Sequence, residues 1–339
     1  MTPNSHAMLG LNTKESVANH DLQSMTRILI TGAGGFVGSY LIKELLHDQS
    51  HDIYGSVYRA TSDIATLLDS THIIEGDLSD FVFTKNLLAT VKPDIVYHLA
   101  ALSVVGSSVD KAVSVMNTNT TISYNVLEAI RLVVPQARVV AIASANVYGA
   151  VLDATTPINE DFPLRPLNPY AVSKVSQEML ALMYHLAYAL DIVILRPFNH
   201  TGIGQTTEFV IPKLAEQFAN IEKSLIPPVI EIGNLDTVRD FTDVRDMVHA
   251  YALAGTHAKS GQVYNLGSGV GHTIKEILAI LQSLSSMKVE VIVKDDLVRP
   301  ADVPILICDA TKFTSLTGWK PTIDLKSTIS DILNYYRGI

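Results

Sequence analysis

Between a short β-rich run, residues 27–31, and a stretch with Val37, Leu41 and Leu45 at four-residue spacing lies the glycine-punctuated sequence TGAGGFVG, residues 31–38. That order reads as strand, tight turn and helix. Further apolar runs follow at 53–58, 72–74, 95–99, 139–143 and 192–195, separated by helix-length segments such as 119–132 and 170–190. Strands alternating with helices over roughly residues 26–197 argue for βαβ units and a parallel sheet covered on both faces. After Arg196 the pattern is less regular. Pro197, Pro212, Pro227, Pro228, Pro300, Pro304 and Pro321 break it into short elements, which predicts a smaller lobe of insertions over the sheet's C-terminal edge, with residues 223–228 as the one linker candidate.

Composition narrows the function classes. A chain of 339 residues, 47% hydrophobic, has material for one large α/β unit or two modest domains and excludes disorder throughout. Its 25 Lys+Arg against 34 Asp+Glu, a net charge of −9, include no basic tract, so neither nucleic acid nor an anionic membrane surface is an expected partner. No uncharged apolar stretch approaches the ~18 residues of a membrane span. One cysteine, Cys308, excludes an internal disulfide and a cysteine-based zinc site and suits a reducing, cytoplasmic location.

Gly32, Gly35 and Gly38 sit where a chain must turn tightly, let backbone approach a diphosphate and pack a helix on a strand, with the helix N-terminus facing the anion. Placed at the first strand of an alternating chain, they point to a dinucleotide and to a doubly wound, Rossmann-type sheet. Arg59 lies 21 residues after Gly38, at the end of the second strand, where an acid would bind the ribose 2′-hydroxyl of NAD. An arginine there accepts the 2′-phosphate of NADP, so NADP(H) is expected with NAD(H) as the alternative; the plainer reading has Arg59 over the adenine or in solvent. Asp77 and Leu78, after the third strand, suit the adenine edge, although a surface turn explains the same residues. Residues 25–197 are thus read as the NAD(P)-binding domain and 198–339 as a substrate-binding lobe partly interleaved with it. Residues 1–24 are read as a disordered leader or an artefact of the start, Met25 being a second candidate start.

Tyr170 and Lys174 lie four residues apart in a helix that Asn168 would cap and Pro169 would open. A phenol with a pKa near ~10 needs help to exchange protons at neutral pH, and a nearby ammonium and a pyridinium ring would bring it down. Ser144 follows the fifth strand on the edge where ligands of such sheets bind. These three fill the roles of acid/base (Tyr170), tuning and ribose-holding cation (Lys174) and hydrogen-bond donor to the reacting oxygen (Ser144). His98 and His200 are each isolated, so packing outweighs metal binding and no metal site is expected.

The strings TGAGGFVG, HLAALS (98–103), SANVYG (144–149) and NPYAVSK (168–174) resemble the extended short-chain dehydrogenase/reductases that modify nucleotide sugars. RPFNHTGIGQ (196–205), GNLDTVRDFTDVRD (233–246), YNLGSG (264–269) and RPADVP (299–304) narrow the resemblance to the GDP-4-keto-6-deoxy-D-mannose reductases, relatives of GDP-mannose 4,6-dehydratase, from about Met25 onward. The resemblance implies that Phe36 and Val37 join the three glycines at the cofactor, with Leu99, Ala100 and Ala101, Tyr170 and Lys174. It implies Asn199 and Arg239 at the sugar nucleotide, Arg299 at its diphosphate or ribose, Ser103 and Asn146 in the hexose pocket, and Asn119 as a structural or proton-relay asparagine. It also implies a homodimer formed through the helices at 119–132 and 170–190. A structural pairing of Arg239 with Asp240 or Asp243 stands as the alternative for that residue.

The residues beside Ser144 separate the reactions. A 4,6-dehydratase needs a carboxylate there to remove the C5 proton, and Ala145-Asn146 offers none. A 4-epimerase of this type carries the acidic NAD signature that Arg59 replaces. The expected activity is therefore NADPH-dependent reduction of the C4 keto group of GDP-4-keto-6-deoxy-D-mannose, giving GDP-D-rhamnose or GDP-6-deoxy-D-talose. Dehydratase and epimerase are the alternatives, and a non-catalytic NADP-binding sensor is a third, disfavoured by the complete Ser144, Tyr170 and Lys174 set.

Overall fold

The computed structural model describes residues 25–60, 62–103, 109–149, 151, 156–298 and 303–338. The glycine turn separates β1 (Thr26–Thr31) from α1 (Phe36–Leu45). There follow β2 (His51–Val57), a single turn α2 (Ser62–Ala65), β3 (Ile73–Glu75), α3 (Phe81–Val91), β4 (Ile95–His98), α4 (Val109–Val133), β5 (Arg138–Ile142), α5 (Pro169–Tyr188) and β6 (Ile192–Pro197). All six strands pair in parallel with β1 central, and a seventh, β10 (Val263–Leu266), completes the order β10-β6-β5-β4-β1-β2-β3. This is the doubly wound Rossmann-type sheet.

Strand residues alternate between two cores. Ile28 and Ile30 face α1 and the later helix α7 (Val244–His257), against Leu41, Ile42, Met247 and Tyr251; Leu29 faces α3, α4 and α5, against Leu87, Val126 and Ile130. A strand buried on both faces must be apolar throughout, which is why these runs lack a polar alternation. Strand order reverses between β1 and β4, so the ends of these two strands open the crevice where such sheets hold ligands.

The rest of the chain forms β7 (Asn199–Thr201), α6 (Val210–Glu222), β8 (Val229–Ile232), β9 (Val238–Asp243), β11 (Gly271–Thr273), α8 (Ile274–Leu284), β12 (Glu290–Val293), β13 (Ile305–Leu306), α9 (Thr311–Thr317) and α10 (Leu325–Arg337). Helices α6, α8 and α10 share a separate core built on Phe218, Leu281 and Ile332. Strand β9 pairs with β7, β11 and β13 above the sheet.

Several expectations change. Helix α4 begins ten residues before Asn119, through VDKAVSVMNT, whose three valines and single Ser, Asn and Thr are weak helix formers; the helix as a whole packs against α3 and α5. Pro212 does not break α6 but lies in its first turn, where the missing N–H has no intrahelical partner to lose. Pro197 ends β6 and is still in register with Leu266. Residues 223–228 join α6 to β8 within the smaller lobe and so do not link two parts.

Candidate active site

The first corner of the site is made of backbone. Thr31 and His98 are the last paired residues of β1 and β4, which brings the next residues of both strands together. Gly32 has φ +72, and a Cβ on it would stand 2.9 Å from the backbone of Ala100; one on Gly38 would stand 2.5 Å from the Gly32 carbonyl oxygen. Side chains are excluded at both positions. Gly35 is the N-cap of α1 and provides no side-chain acceptor, so the first-turn N–H groups around Phe36 and Val37 face the crevice without one. Free N–H groups at a helix N-terminus with close backbone on either side suit a dinucleotide diphosphate.

Around this turn, the Thr31 hydroxyl accepts from Ala100 N at 3.2 Å and lies 2.9 Å from His98 Nδ1. His98 is buried, its Nε2 is 3.4 Å from the Ser123 hydroxyl, and burial pulls its pKa down to about 3, so it is a neutral strut between β1, β4 and α4. His200 stacks on Phe36, rings 6.4 Å apart and 7° from parallel, and sets β7 against the turn. Among the described residues no group of three His, Cys, Asp or Glu is arranged to hold a metal ion.

Arg59 is exposed just past β2, its guanidinium 5.8 Å from the centre of the Tyr58 ring. The nearby acid, Glu75 at the end of β3, accepts from Ala60 N at 3.0 Å. Asp77 closes a turn on Ser79, accepting from its N–H at 2.8 Å and its hydroxyl at 2.7 Å, while Leu78 is buried. Leu99, Ala100 and Ala101 line the crevice half-buried; Ser103 is exposed at the start of the loop beyond.

The second corner is made of side chains. Asn168 caps α5, accepting from Ala171 N at 2.8 Å, and Pro169 opens the helix. Tyr170 on its first turn is hydrogen-bonded to Ser144, which leaves β5 in extended conformation. Lys174 is 3% exposed; its Nζ donates to the Ile142 carbonyl at the end of β5 (2.7 Å) and to Gln177 Oε1 (2.9 Å), and lies 5.9 Å from the Tyr170 ring centre. Burial, opposed by the Ser144 hydrogen bond, pushes the Tyr170 phenol up to about 12, and burial draws the Lys174 ammonium down to about 7. The expected lowering of Tyr170 is thus not met by the protein alone. Desolvation of the phenolate outweighs a cation that itself loses its proton near neutrality.

Asn119 joins the two corners. Its Oδ1 accepts from Leu102 N (2.7 Å), and its Nδ2 donates to the Leu102 carbonyl (3.1 Å) and to Ser173 Oγ (2.9 Å), whose hydroxyl donates to the Tyr170 carbonyl (2.8 Å). It holds the loop after β4 against the helix that carries Tyr170. Asn146 is exposed beside Ser144, and its N–H donates to Ser144 Oγ at 3.2 Å. Asn199 is half-buried at the start of β7. Arg239 is half-buried on β9, one of its guanidinium N–H groups donating to the Val238 carbonyl at 2.9 Å. The neighbouring carboxylates are engaged elsewhere: Asp240 accepts from Ser268, Gly269 and Cys308, and Asp243 from Arg245 and Thr328. Arg299 lies outside the described residues.

Gln177 meets Lys174 at a three-residue helical spacing that the sequence makes available. A further feature carries no short sequence signal. Arg196, at the end of β6, forms a buried ion pair with Glu178 of α5 and donates to Tyr148 Oη (2.8 Å), which donates to Asn265 (2.7 Å). Glu178 and Tyr148 lie 18 and 48 residues away from Arg196, beyond any local pattern.

The model of the GDP-mannose 4,6 dehydratase family matches residues 29–332. The chain belongs to that family. Among its relatives is the GDP-6-deoxy-D-mannose reductase of Pseudomonas aeruginosa, 31% identical over 313 residues, which cover 91% of this chain and 96% of that protein. The GDP-6-deoxy-D-talose 4-dehydrogenase of Aggregatibacter actinomycetemcomitans is 29% identical over 293 residues, 86% and 91% of the two chains. A solved structure of RMD from Pseudomonas aeruginosa complexed with NADPH superposes with a TM-score of 0.80 at 30% identity, covering 92% of this chain and 99% of that one. As a member of the GDP-mannose dehydratase-like extended short-chain dehydrogenase/reductases, this chain is an enzyme acting on sugar CH–OH or carbonyl groups.

Proposed function

We propose that the enzyme reduces the C4 keto group of GDP-4-keto-6-deoxy-D-mannose with NADPH, forming GDP-D-rhamnose or GDP-6-deoxy-D-talose. The observation that carries this reading is the assembly of Ser144, Tyr170 and Lys174 with Ala145 and Asn146, and no carboxylate, directly after Ser144. The names of the two GDP-sugar relatives support the substrate class, and the NADPH complex of the solved relative supports the cofactor.

The turn at Gly32, Gly35 and Gly38 and the first turn of α1 would hold the cofactor diphosphate, Leu99 to Ala101 its flank, Arg59 the 2′-phosphate and Lys174 the ribose. Bound there, a reduced nicotinamide supplies the hydride. Tyr170 is protonated at neutral pH and gives its proton to the C4 oxygen as negative charge develops on it, and Ser144 provides a second hydrogen bond to that oxygen. Asn199 and Arg239 would contact the sugar nucleotide, Arg299 its diphosphate or ribose, and Ser103 and Asn146 the hexose. Asp77, which also closes the turn onto Ser79, and Leu78 would meet the adenine edge.

Helices α4 and α5 leave Val113, Met116, Tyr124, Met179, Met183 and Leu186 exposed. We assign this apolar face to pairing of two copies through four helices. No helix of the described residues is long and apolar enough to cross a membrane; the location we infer is cytoplasmic.

Incubation with the two candidate substrates tests the reading. The keto sugar nucleotide should consume NADPH in proportion to product, and GDP-mannose should form no 4-keto-6-deoxy sugar. Dehydration of GDP-mannose without net NADPH loss would replace the reductase by the dehydratase.

A further inference from the structure

Lys174 acts in the proposed reaction as a buried cation, and the groups bonded to it are neutral: the Ile142 carbonyl and Gln177 Oε1, three residues along α5. Gln177 is itself buried, and its Nε2 has no hydrogen-bond partner among the described residues. An apolar side chain would avoid the penalty of that unpaired donor, so the amide is held here against a packing preference. Its orientation is fixed by Lys174, because a flipped amide would set N–H against N–H.

We propose that Gln177 is a positioning residue whose carbonyl oxygen holds Lys174 Nζ against the end of β5, beside Tyr170, and supports its ammonium form without cancelling its charge. The inference rests on the reading of the reaction given above. A carboxylate at the same 2.9 Å would also hold the ammonium, but it would neutralise the field that reaches the phenol.

The surrounding ionisable groups leave this task to Gln177. From β4, His98 is close enough to feel Lys174 and is neutral. On α5, Tyr170 lies toward Ser144, and Glu178 is turned to Arg196 of β6. From α7, the buried Tyr251 phenol is held protonated, and on α4 the neutral Asn119 bonds to Ser173. Burial is the cause of the Lys174 shift, with no acid contributing.

The test uses the full chain without cofactor, labelled with ¹³C at lysine Cε. The Lys174 resonance is identified by its loss in Lys174→Met. In the unaltered protein it should titrate near neutral pH. Gln177→Met should move the midpoint about 1 pH unit lower, because an acceptor of the charged form is gone. Gln177→Glu should move it about 1–3 pH units higher. With keto sugar and NADPH, the alkaline limb of kcat should move in the same order. A common Lys174 midpoint in all three proteins overturns the proposal, whatever the variants do to stability; if one variant fails to fold, the direction of the other decides. Lack of turnover by the unaltered protein would refute the reductase reading and leave the NMR titration to judge Gln177.

Discussion

The two corners of the candidate site are built from different materials. The turn after β1 works through what is missing: at Gly32 and Gly38 the backbone of a neighbouring segment occupies the place of a side chain. The corner between β5 and α5 works through buried polar side chains, and Lys174, Gln177, Asn119, Ser173, Glu178 and Arg196 find partners in one another or in the backbone, with only the Gln177 Nε2 of these left unpaired among the described residues. Damage to the first should therefore act through shape and cofactor binding. Damage to the second should act chiefly through protonation and stability, with cofactor binding touched only at the ribose contact of Lys174.

The largest expected effect belongs to Tyr170→Phe, which removes the proton donor and should lower kcat by ~10²–10⁴-fold. Cofactor affinity, read by quenching of protein fluorescence, should hardly change, because the phenol's proton matters at the transition state. Gly38→Val should do the opposite. Its Cβ would meet the Gly32 carbonyl, so cofactor binding should be lost while the circular dichroism of the sheet and helices remains.

Breaking the ion pair beneath the second corner comes next. Glu178→Leu leaves the Arg196 guanidinium buried without its carboxylate and should destabilise the protein by about 3–5 kcal/mol in urea unfolding. Glu178→Leu combined with Arg196→Met should recover part of that loss. Equal losses in the single and double variants would show that the unpaired guanidinium is not the source of the loss.

These contrasts also explain what was legible in the sequence. Glycines that exclude side chains leave a local string, and Tyr170 with Lys174 lies on one helical turn, so both could be read from spacing. The register of Thr31 with His98, the clasp of Asn119 on Leu102 and Ser173, and the Arg196 network join residues distant in the chain. Helix α4 extends ten residues ahead of Asn119 through a stretch whose valines and short polar residues give little local helix signal.

Smaller effects sharpen the difference. Arg59→Ala should raise the KM for NADPH by roughly tenfold or more and that for NADH far less; equal changes would return Arg59 to solvent. Lys174 separates the corners by pH. Its folded pKa of about 7 lies below that of an unfolded lysine, so above pH 7 the unfolded chain holds a proton that the folded one has lost. Burial of this lysine therefore destabilises the fold most below pH 7, and its contribution to stability rises with pH up to about 9.5, where tyrosines begin to ionise. Lys174→Met should remove that rise from the urea-unfolding free energy, whereas Gly38→Ala should leave it in place.

The most direct test of the central claim follows the hydride. With NADPH carrying deuterium at the transferable position and GDP-4-keto-6-deoxy-D-mannose as substrate, the product should contain one deuterium at C4. The proton couplings around that carbon then distinguish the rhamno from the talo configuration. A product with no deuterium, or with hydrogen returned to the sugar from the sugar itself, would contradict net reduction and mark the enzyme as an epimerase or dehydratase.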